Sequence, residues 1–318
     1  MACGEQAERP DPLPGWMLTA DSMGVPAADA AMTGHLARDE LRESSGVATS
    51  STQPGLLFTI NDSGNDPILY ALDSTGTDRG AWRVTGATND DWEAIAVGPC
   101  AESDRSNALD RTDLQCVYIG DTGDNAARKP TRTIYRIPEP VAESSGFLGV
   151  TRAAARLQFK YPDGPQDVEA MYVGPNGDVI LVSKRPAEDA IGRLRPARVY
   201  RLPAAAWTGP IPATAELLDS LPIVPGSAPW RMITDAALAP DYRKVAVRTY
   251  TQIFVFAADS ATGRIITTTP PTVCNVAALG VVGEGVAWSD ALGRLVLTSE
   301  GRAAPVHLVS CPLPRWDP

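Results

Sequence analysis

Three glutamates stand in near-identical settings along the chain: Asp91-Trp92-Glu93-Ala94, Asp167-Val168-Glu169-Ala170 and Gly283-Glu284-Gly285-Val286. Two further segments, Ser44-Ser45-Gly46-Val47 and Thr234-Asp235-Ala236-Ala237, share the outline of a polar or small cluster placed just before a short apolar run. Carboxylates gathered into a confined space repel one another, and the cost is relieved by raised proton affinity, by basic partners or by a bound cation. Oxygen donors with neither thiolate nor imidazole beside them suit a hard ion, Ca²⁺ before Mg²⁺. The candidate metal ligands are Glu93, Glu169, Glu284, Asp235, Asp62 and Asp121. The candidate catalytic residues are Glu93 and Glu169, which would hold the ion or a water, with Lys184 and Arg248 set to stabilise developing negative charge. A purely structural alternative has each glutamate accepting hydrogen bonds from backbone N–H groups of the adjacent repeat and locking the repeats together.

Such residues meet only if the repeats are arranged around a common point. A period of several tens of residues marks a radial or linear array. The segments between the clusters are short β-rich runs, among them Leu56-Leu57-Phe58-Thr59-Ile60, Cys116-Val117-Tyr118-Ile119, Val179-Ile180-Leu181-Val182, Lys244-Val245-Ala246-Val247 and Leu295-Val296-Leu297, divided by Gly, Pro, Asn and Asp. Almost nothing sustains a helical period. Hairpin signals recur after the first run of each repeat, as in Gly174-Pro175-Asn176-Gly177-Asp178 and Ala239-Pro240-Asp241-Tyr242. More polar fourth strands are expected at Gly80–Val84, Ala155–Phe159, Glu216–Ser220 and Arg264–Thr268.

Four antiparallel strands repeated radially make an all-β propeller, with five four-stranded blades and six as the alternative count. The last blade has only three strands of its own, so a strand from Ala31 to Leu41 is expected to close the ring. Residues 1–30 read as a flexible N-terminal arm and 31–318 as one propeller domain.

In such a fold the start of the first strand and the end of the second lie on the same face near the axis. Ser45, Glu93, Glu169, Asp235 and Glu284 come from the starts. Asn61, Asp62, Asp121, Lys184, Arg248 and Glu300 come from the ends. The loops Asn61-Asp62-Ser63-Gly64-Asn65-Asp66 and Gly120-Asp121-Thr122-Gly123-Asp124-Asn125 are near copies at corresponding strand ends. Tyr250, Trp92 and Trp230 would supply apolar walls.

A net charge of -10 over 318 residues repels phosphate backbones and anionic lipid surfaces, so nucleic acid is not an expected partner. No apolar stretch approaches the roughly 20 residues that span a bilayer. Of five cysteines, Cys100 and Cys116 flank one polar loop, which leaves Cys274 and Cys311 as a second pair; both fit an oxidising, extracytoplasmic compartment. Cys3, after Met1-Ala2, resembles the lipidated cysteine of a mature bacterial lipoprotein, a free cysteine being the alternative. The two histidines, His35 and His307, lie away from any triad pattern, and no nucleophile elbow, phosphate loop or dinucleotide fingerprint is present.

The Glu93, Glu169 and Glu284 motifs resemble the Glu-Ala or Glu-Gly inner-strand motif of secreted bacterial propellers of the phytase-like and esterase-like type, over most of residues 40 to 315. The resemblance implies a calcium-binding propeller and, in the propeller phytases, calcium-assisted attack of water on phosphate esters. Beyond these three glutamates the extended metal-binding signatures of the phytases have no match here. Two functions are therefore expected in competition: a metal-dependent hydrolase of a small anionic ester or lactone, and a non-catalytic, monomeric binding propeller that presents its rim to a cell-envelope component around a structural cation.

Overall fold

The computed structural model describes residues 25–101, 104, 114–188, 191–223, 231–280, 283–289 and 293–313. Five sheets of four or five strands account for nearly all of its regular structure, antiparallel except where the short outermost strands Val25–Pro26, Leu148–Val150 and Ala213–Thr214 add in parallel. Blade 1 runs outward through Ser44–Thr49, Leu56–Asn61, Ile68–Asp73 and Asp78–Arg83; blade 2 through Trp92–Pro99, Gln115–Asp121, Arg132–Pro138 and Ala155–Lys160. Blade 3 comprises Val168–Val173, Val179–Ser183, Arg198–Leu202 and Glu216–Ser220, and blade 4 Ile233–Leu238, Lys244–Thr249, Gln252–Ala257 and Thr272–Asn275. Blade 5 has Gly283–Trp288, Arg294–Ser299 and Pro305–Ser310, with Ala28–His35 paired antiparallel to the last of these. The protein is a five-bladed β-propeller closed by its own N-terminal segment.

Burial explains the strand composition. Inner and second strands are covered on both faces, so Leu56–Asn61 and Val168–Val173 are buried throughout and carry continuous apolar runs. Outer strands are less fully covered: Ala155–Lys160 alternates between buried and more open positions, and Asp78–Arg83 exposes Arg79 and Arg83. The core is divided into apolar layers between successive blades. Phe58, Leu69, Trp92 and Ile119 fill the layer between blades 1 and 2, and Tyr118, Phe159, Met171 and Tyr200 the next. Leu57, Val296 and Val306, with Leu36 and Leu41, seal the layer where blade 5 returns to blade 1.

Two details differ from the expected strand boundaries. The closing strand is Ala28–His35, displaced toward the N-terminus from 31–41, and strand structure begins at Val25, which pairs with Cys274 in parallel to the outer strand of blade 4. The fourth strand of blade 4 is Thr272–Asn275, whereas Arg264–Thr268 contributes one bridge, Ala258 to Ile265. The Asp259 carboxylate accepts from the Ala261 and Thr262 N–H groups and turns the chain there, and the ladder resumes only after Pro270-Pro271. The alternative of six blades is thereby set aside.

Both expected disulfides are formed. Cys100–Cys116 closes the hairpin between the first two strands of blade 2, and Cys274–Cys311 joins the outer strand of blade 4 to the end of blade 5. Their presence is consistent with an oxidising environment. Among the described residues no helix is long and apolar enough to cross a membrane. Reduction, or Cys274→Ser with Cys311→Ser, is expected to lower unfolding free energy by about 2–4 kcal/mol, because the Cys274–Cys311 crosslink spans 37 residues and restricts the unfolded chain. Urea unfolding with and without reductant measures it.

Candidate functional site

The same irregularity marks the start of every inner strand. Ser44 pairs with Asn61, Trp92 with Asp121, Val168 with Ser183, Ile233 with Thr249 and Gly283 with Ser299; immediately afterwards each ladder slips by one extra residue on the inner strand. A β-bulge of this kind re-aims the extra side chain. The residues so placed are Ser45, Glu93, Glu169, Thr234 and, in a wider bulge with Gly285, Glu284. Two of them are hydroxyls that latch the next blade: Ser45 Oγ donates to Trp92 O at 2.9 Å and Thr234 Oγ1 to Glu284 O at 3.0 Å. The other three are the glutamates. Glycine at 283 and 285 is required by close approach, since a Cβ at 283 would lie 2.1 Å from Arg248 Nη2 and one at 285 would lie 2.3 Å from Thr298 Oγ1.

The pairing defines a second ring, the residue following each second-strand partner: Asp62, Thr122, Lys184, Tyr250 and Glu300. These side chains surround the glutamates electrostatically. Burial, then Glu169 and Asp62, hold the Glu93 carboxyl far above its ordinary range. Burial, then Glu169 and Glu300, do the same for Glu284. Glu169 is pushed up to about 8 by burial, which prevails over its ion pair with Lys184. Lys184 is raised, because Glu169 outweighs the burial that would lower it. Tyr250 is pushed up to about 12 by burial and by Glu284. Lys184 is thus the ammonium set among Glu93, Glu169, Glu284, Glu300 and Asp62, while Lys129 Nζ pairs with Asp91 Oδ2 at 3.2 Å at the edge of the mouth.

Three carboxylates, Asp62, Asp91 and Glu93, each present an oxygen within 4.8 Å of the others. Asp91 stands in the repeated motif but was not among the expected ligands; its backbone position just before the inner strand, where Gly123 N–H donates to its carbonyl at 3.1 Å, brings it in. Gly123 is part of this construction. A Cβ there would sit 2.6 Å from Glu93 Cγ and 2.8 Å from Asp91 Cγ. Glu169 Oε2 is a further oxygen with its hydrogen-bonding capacity unused: it is buried without a hydrogen bond, Oε1 being taken by Lys184.

Three expected rim residues lie elsewhere. Asp235 follows the bulge and is fully buried one step down the shaft; its Oδ2 accepts from Val286 N at 2.8 Å and Val47 N at 3.3 Å, and its Oδ1 from Ala236 N at 2.8 Å. Arg248, paired directly with Asp235, is also buried; its Nη1 donates to the carbonyls of Gly285 and Thr298, and burial lowers it to about 10. Asp121 falls one residue short of the second ring and accepts from Arg132 Nη2 and Asp91 N, both at 2.9 Å. For Asp235 and Asp121 a slip of one residue turns the side chain off the mouth, whereas Arg248 stands two residues before the ring position, Tyr250, and so lies further down the strand. Trp92 is core, tilted against Tyr135 with its indole N–H donating to Thr88 O, while Tyr250 belongs to the mouth. Trp230 and Cys3 lie outside the described residues.

No protein-family model matches the chain, and no curated protein matches it. Among solved structures it is similar to the glutaminyl cyclase of Myxococcus xanthus, at 11% identity over 89% of this chain and 97% of that one, with a TM-score of 0.47. It is also similar to an auxiliary nutrient binding protein from Bacteroides thetaiotaomicron, at 8% identity over 88% of this chain and 75% of that one, with a TM-score of 0.45. A luciferin-regenerating enzyme is matched at 10% identity over 85% of this chain and 93% of that one, with a TM-score of 0.41. At these identities the likeness concerns the fold.

Proposed function

We propose that the acidic mouth of the propeller binds a divalent cation, Ca²⁺ in preference to Mg²⁺, and that the protein is a metal-dependent hydrolase of a small anionic ester or lactone. The observation that carries this reading is the meeting of Asp62, Asp91 and Glu93 oxygens within 4.8 Å beside the partnerless Glu169 Oε2. An all-oxygen, carboxylate donor set fits a hard ion. Asp62, Asp91 and Glu93 would hold it, with Glu284 and Glu300 adding negative potential. When bound, the ion supplies Lewis-acid polarisation of the scissile group.

The chain's own groups divide the remaining work. Lys184 Nζ would hold an anionic oxygen of the substrate, exchanging part of its contact with Glu169. Glu169, protonated at neutral pH while its value stays near 8, would hold or release a proton at Oε2. Arg248 is assigned to the floor, because its guanidinium is committed to two backbone carbonyls. Export from the cytoplasm, with an anchor at Cys3, belongs to the same proposal and accords with the two disulfides.

Calorimetric titration with CaCl₂ tests the binding step. Glu93→Gln is expected to weaken the ion by roughly tenfold or more, and Gly123→Ala by a comparable factor through displacement of Glu93 and Asp91. Wild-type affinity in both variants would exclude this site. Turnover of phosphate esters, aryl esters and lactones is expected to vanish with chelator.

One observation favours a second reading. Asp62 belongs to blade 1, whereas Asp91 and Glu93 belong to blade 2, so an ion there would tie two blades together much as Ser45 does. A Ca²⁺-dependent rise in melting temperature with no chelator-sensitive turnover across the panel would select this structural role and a binding function, for a small anion or an envelope component at the rim.

A further inference from the structure

The inner strands that begin at the acidic mouth end at a different kind of cavity. At about 3.3 Å per residue, Val97 lies about 13 Å down the strand from Glu93. There a cavity of about 450 Å³ opens, walled by the far ends of inner strands from all five blades. Its volume is that of a site for a drug-sized molecule. Val47, Ala236 and Ala287 form its deep end, and the backbone around them is held by the Asp235 carboxylate, so the buried Asp235 and Arg248 divide this cavity from the mouth.

The chemistry of the wall is one-sided. Among the described residues no Asp, Glu, Lys, Arg or His lines it, in a protein with a net charge of -10. Several polar side chains on the wall are spent inside the protein: Thr49 Oγ1 donates to Trp288 O at 2.6 Å, Ser50 Oγ to Glu139 at 2.7 Å, and the Trp288 indole N–H to Ala237 O at 2.9 Å; Gln115, Tyr172 and Ser289 add further neutral polar groups. The larger part of the inward surface is alanine, valine, isoleucine, proline and aromatic carbon, with neutral polar groups making up the rest, a wall that rewards burial of apolar groups and penalises a charge.

A second observation marks the rim. Between the first and second strands, blades 1, 3 and 5 place Gly55, Gly177 and Gly293 in the left-handed backbone region, where the absent Cβ avoids strain. Blade 4 places Tyr242 there, at φ 59°, with its N–H donating to Ala239 O at 2.8 Å. An aromatic residue in that conformation costs free energy that glycine would not. Tyr242 is 42% exposed and lines the cavity, so neither core packing nor turn geometry accounts for it. We propose that the cavity is a second ligand site, for an uncharged and largely apolar small molecule, with Tyr242 as the rim residue that determines its specificity.

The test uses N-phenyl-1-naphthylamine, a neutral fluorophore that brightens on leaving water, with the full chain in the presence of Ca²⁺ and again in chelator. Saturable one-to-one binding is expected, equal in the two buffers. Ala237→Leu, which shares Asp235's face of the strand and fills the cavity, is expected to weaken it by roughly tenfold or more. Tyr242→Gly is expected to weaken it by a similar order while raising the melting temperature, opposite effects that a merely structural tyrosine would not give. The proposal is overturned by non-saturable binding, by wild-type affinity in Tyr242→Gly, or by loss of binding in chelator, which would place the probe at the acidic mouth. Should Ala237→Leu fail to fold, Tyr242→Gly on the exposed turn decides alone.

Discussion

Freed of divalent ions, the protein is expected to lose stability as pH rises from about 5 to 8, the reverse of the usual behaviour of a carboxylate-rich chain. In the unfolded chain Glu93, Glu169 and Glu284 release protons near the ordinary 4.5, whereas in the fold Glu169 keeps its proton until about 8 and burial raises the other two well above 4.5. Between those limits the folded state binds more protons than the unfolded one, so unfolding free energy falls with rising pH. Each tenfold in proton affinity is worth about 1.4 kcal/mol, which makes the contribution of Glu169 alone several kcal/mol. Carboxylates held low by partners, such as Asp78 and Asp178, change charge only in more acidic solution and do not offset it in this window.

Calcium should invert the trend. An ion that replaces the protons binds best when the carboxylates are charged, so its stabilisation grows with pH. Melting curves at pH 5.5 and 8 are therefore expected to cross, chelated protein melting lower at pH 8 and calcium-loaded protein higher. Chelated protein whose stability is flat or rises over this range would show that the three glutamates do not share a proton-retaining mouth.

Asp235→Ala is expected to be the most damaging single substitution outside the apolar layers. Three backbone N–H groups, from Val47, Ala236 and Val286, converge on this carboxylate from blades 1, 4 and 5, and Arg248 stands opposite it in the ladder. Removal leaves those donors without an acceptor in a place water does not reach, and takes from the guanidinium one of its two nearby acidic groups, Glu284 being the other. Uncompensated buried groups of this kind cost about 3–5 kcal/mol. Asp235→Asn keeps one acceptor oxygen and is expected to cost less. Urea denaturation measures both, and a loss under about 1 kcal/mol for alanine would mean that the three N–H groups find other partners.

The propeller was legible because its signals are repeated. Hairpin residues and continuous apolar runs recur in each blade, and a misread strand such as Arg264–Thr268 is outvoted by its counterparts. The bulge residues Glu93, Glu169 and Glu284 were legible for the same reason. What escaped was register at the level of one residue. Asp62-Ser63-Gly64 and Asp121-Thr122-Gly123 look alike, yet Asn61 and Asp121 occupy the equivalent pairing positions, so the counterpart of Asp62 is Thr122. Likewise Thr234, not Asp235, is the bulged residue of blade 4. Nothing in a single sequence announces where an extra residue enters a ladder, and the side-chain period of two converts that gap into the opposite face. Asp91 shows the complementary limit, since its role depends on the space left by Gly123 on another strand.

The pairing of Ala28–His35 with Pro305–Ser310 bears on how the molecule comes into being. Ala28 meets Ser310, so the seam joins strands from opposite ends of the propeller's own sequence. A ribosome therefore has no finished propeller to release until Pro305–Ser310 emerges, and until then the blades form an open necklace rather than a locked wheel. Closure then comes late and slowly, as expected of contacts so distant along the chain. The Cys274–Cys311 bond would fasten the clasp only after arrival in an oxidising compartment.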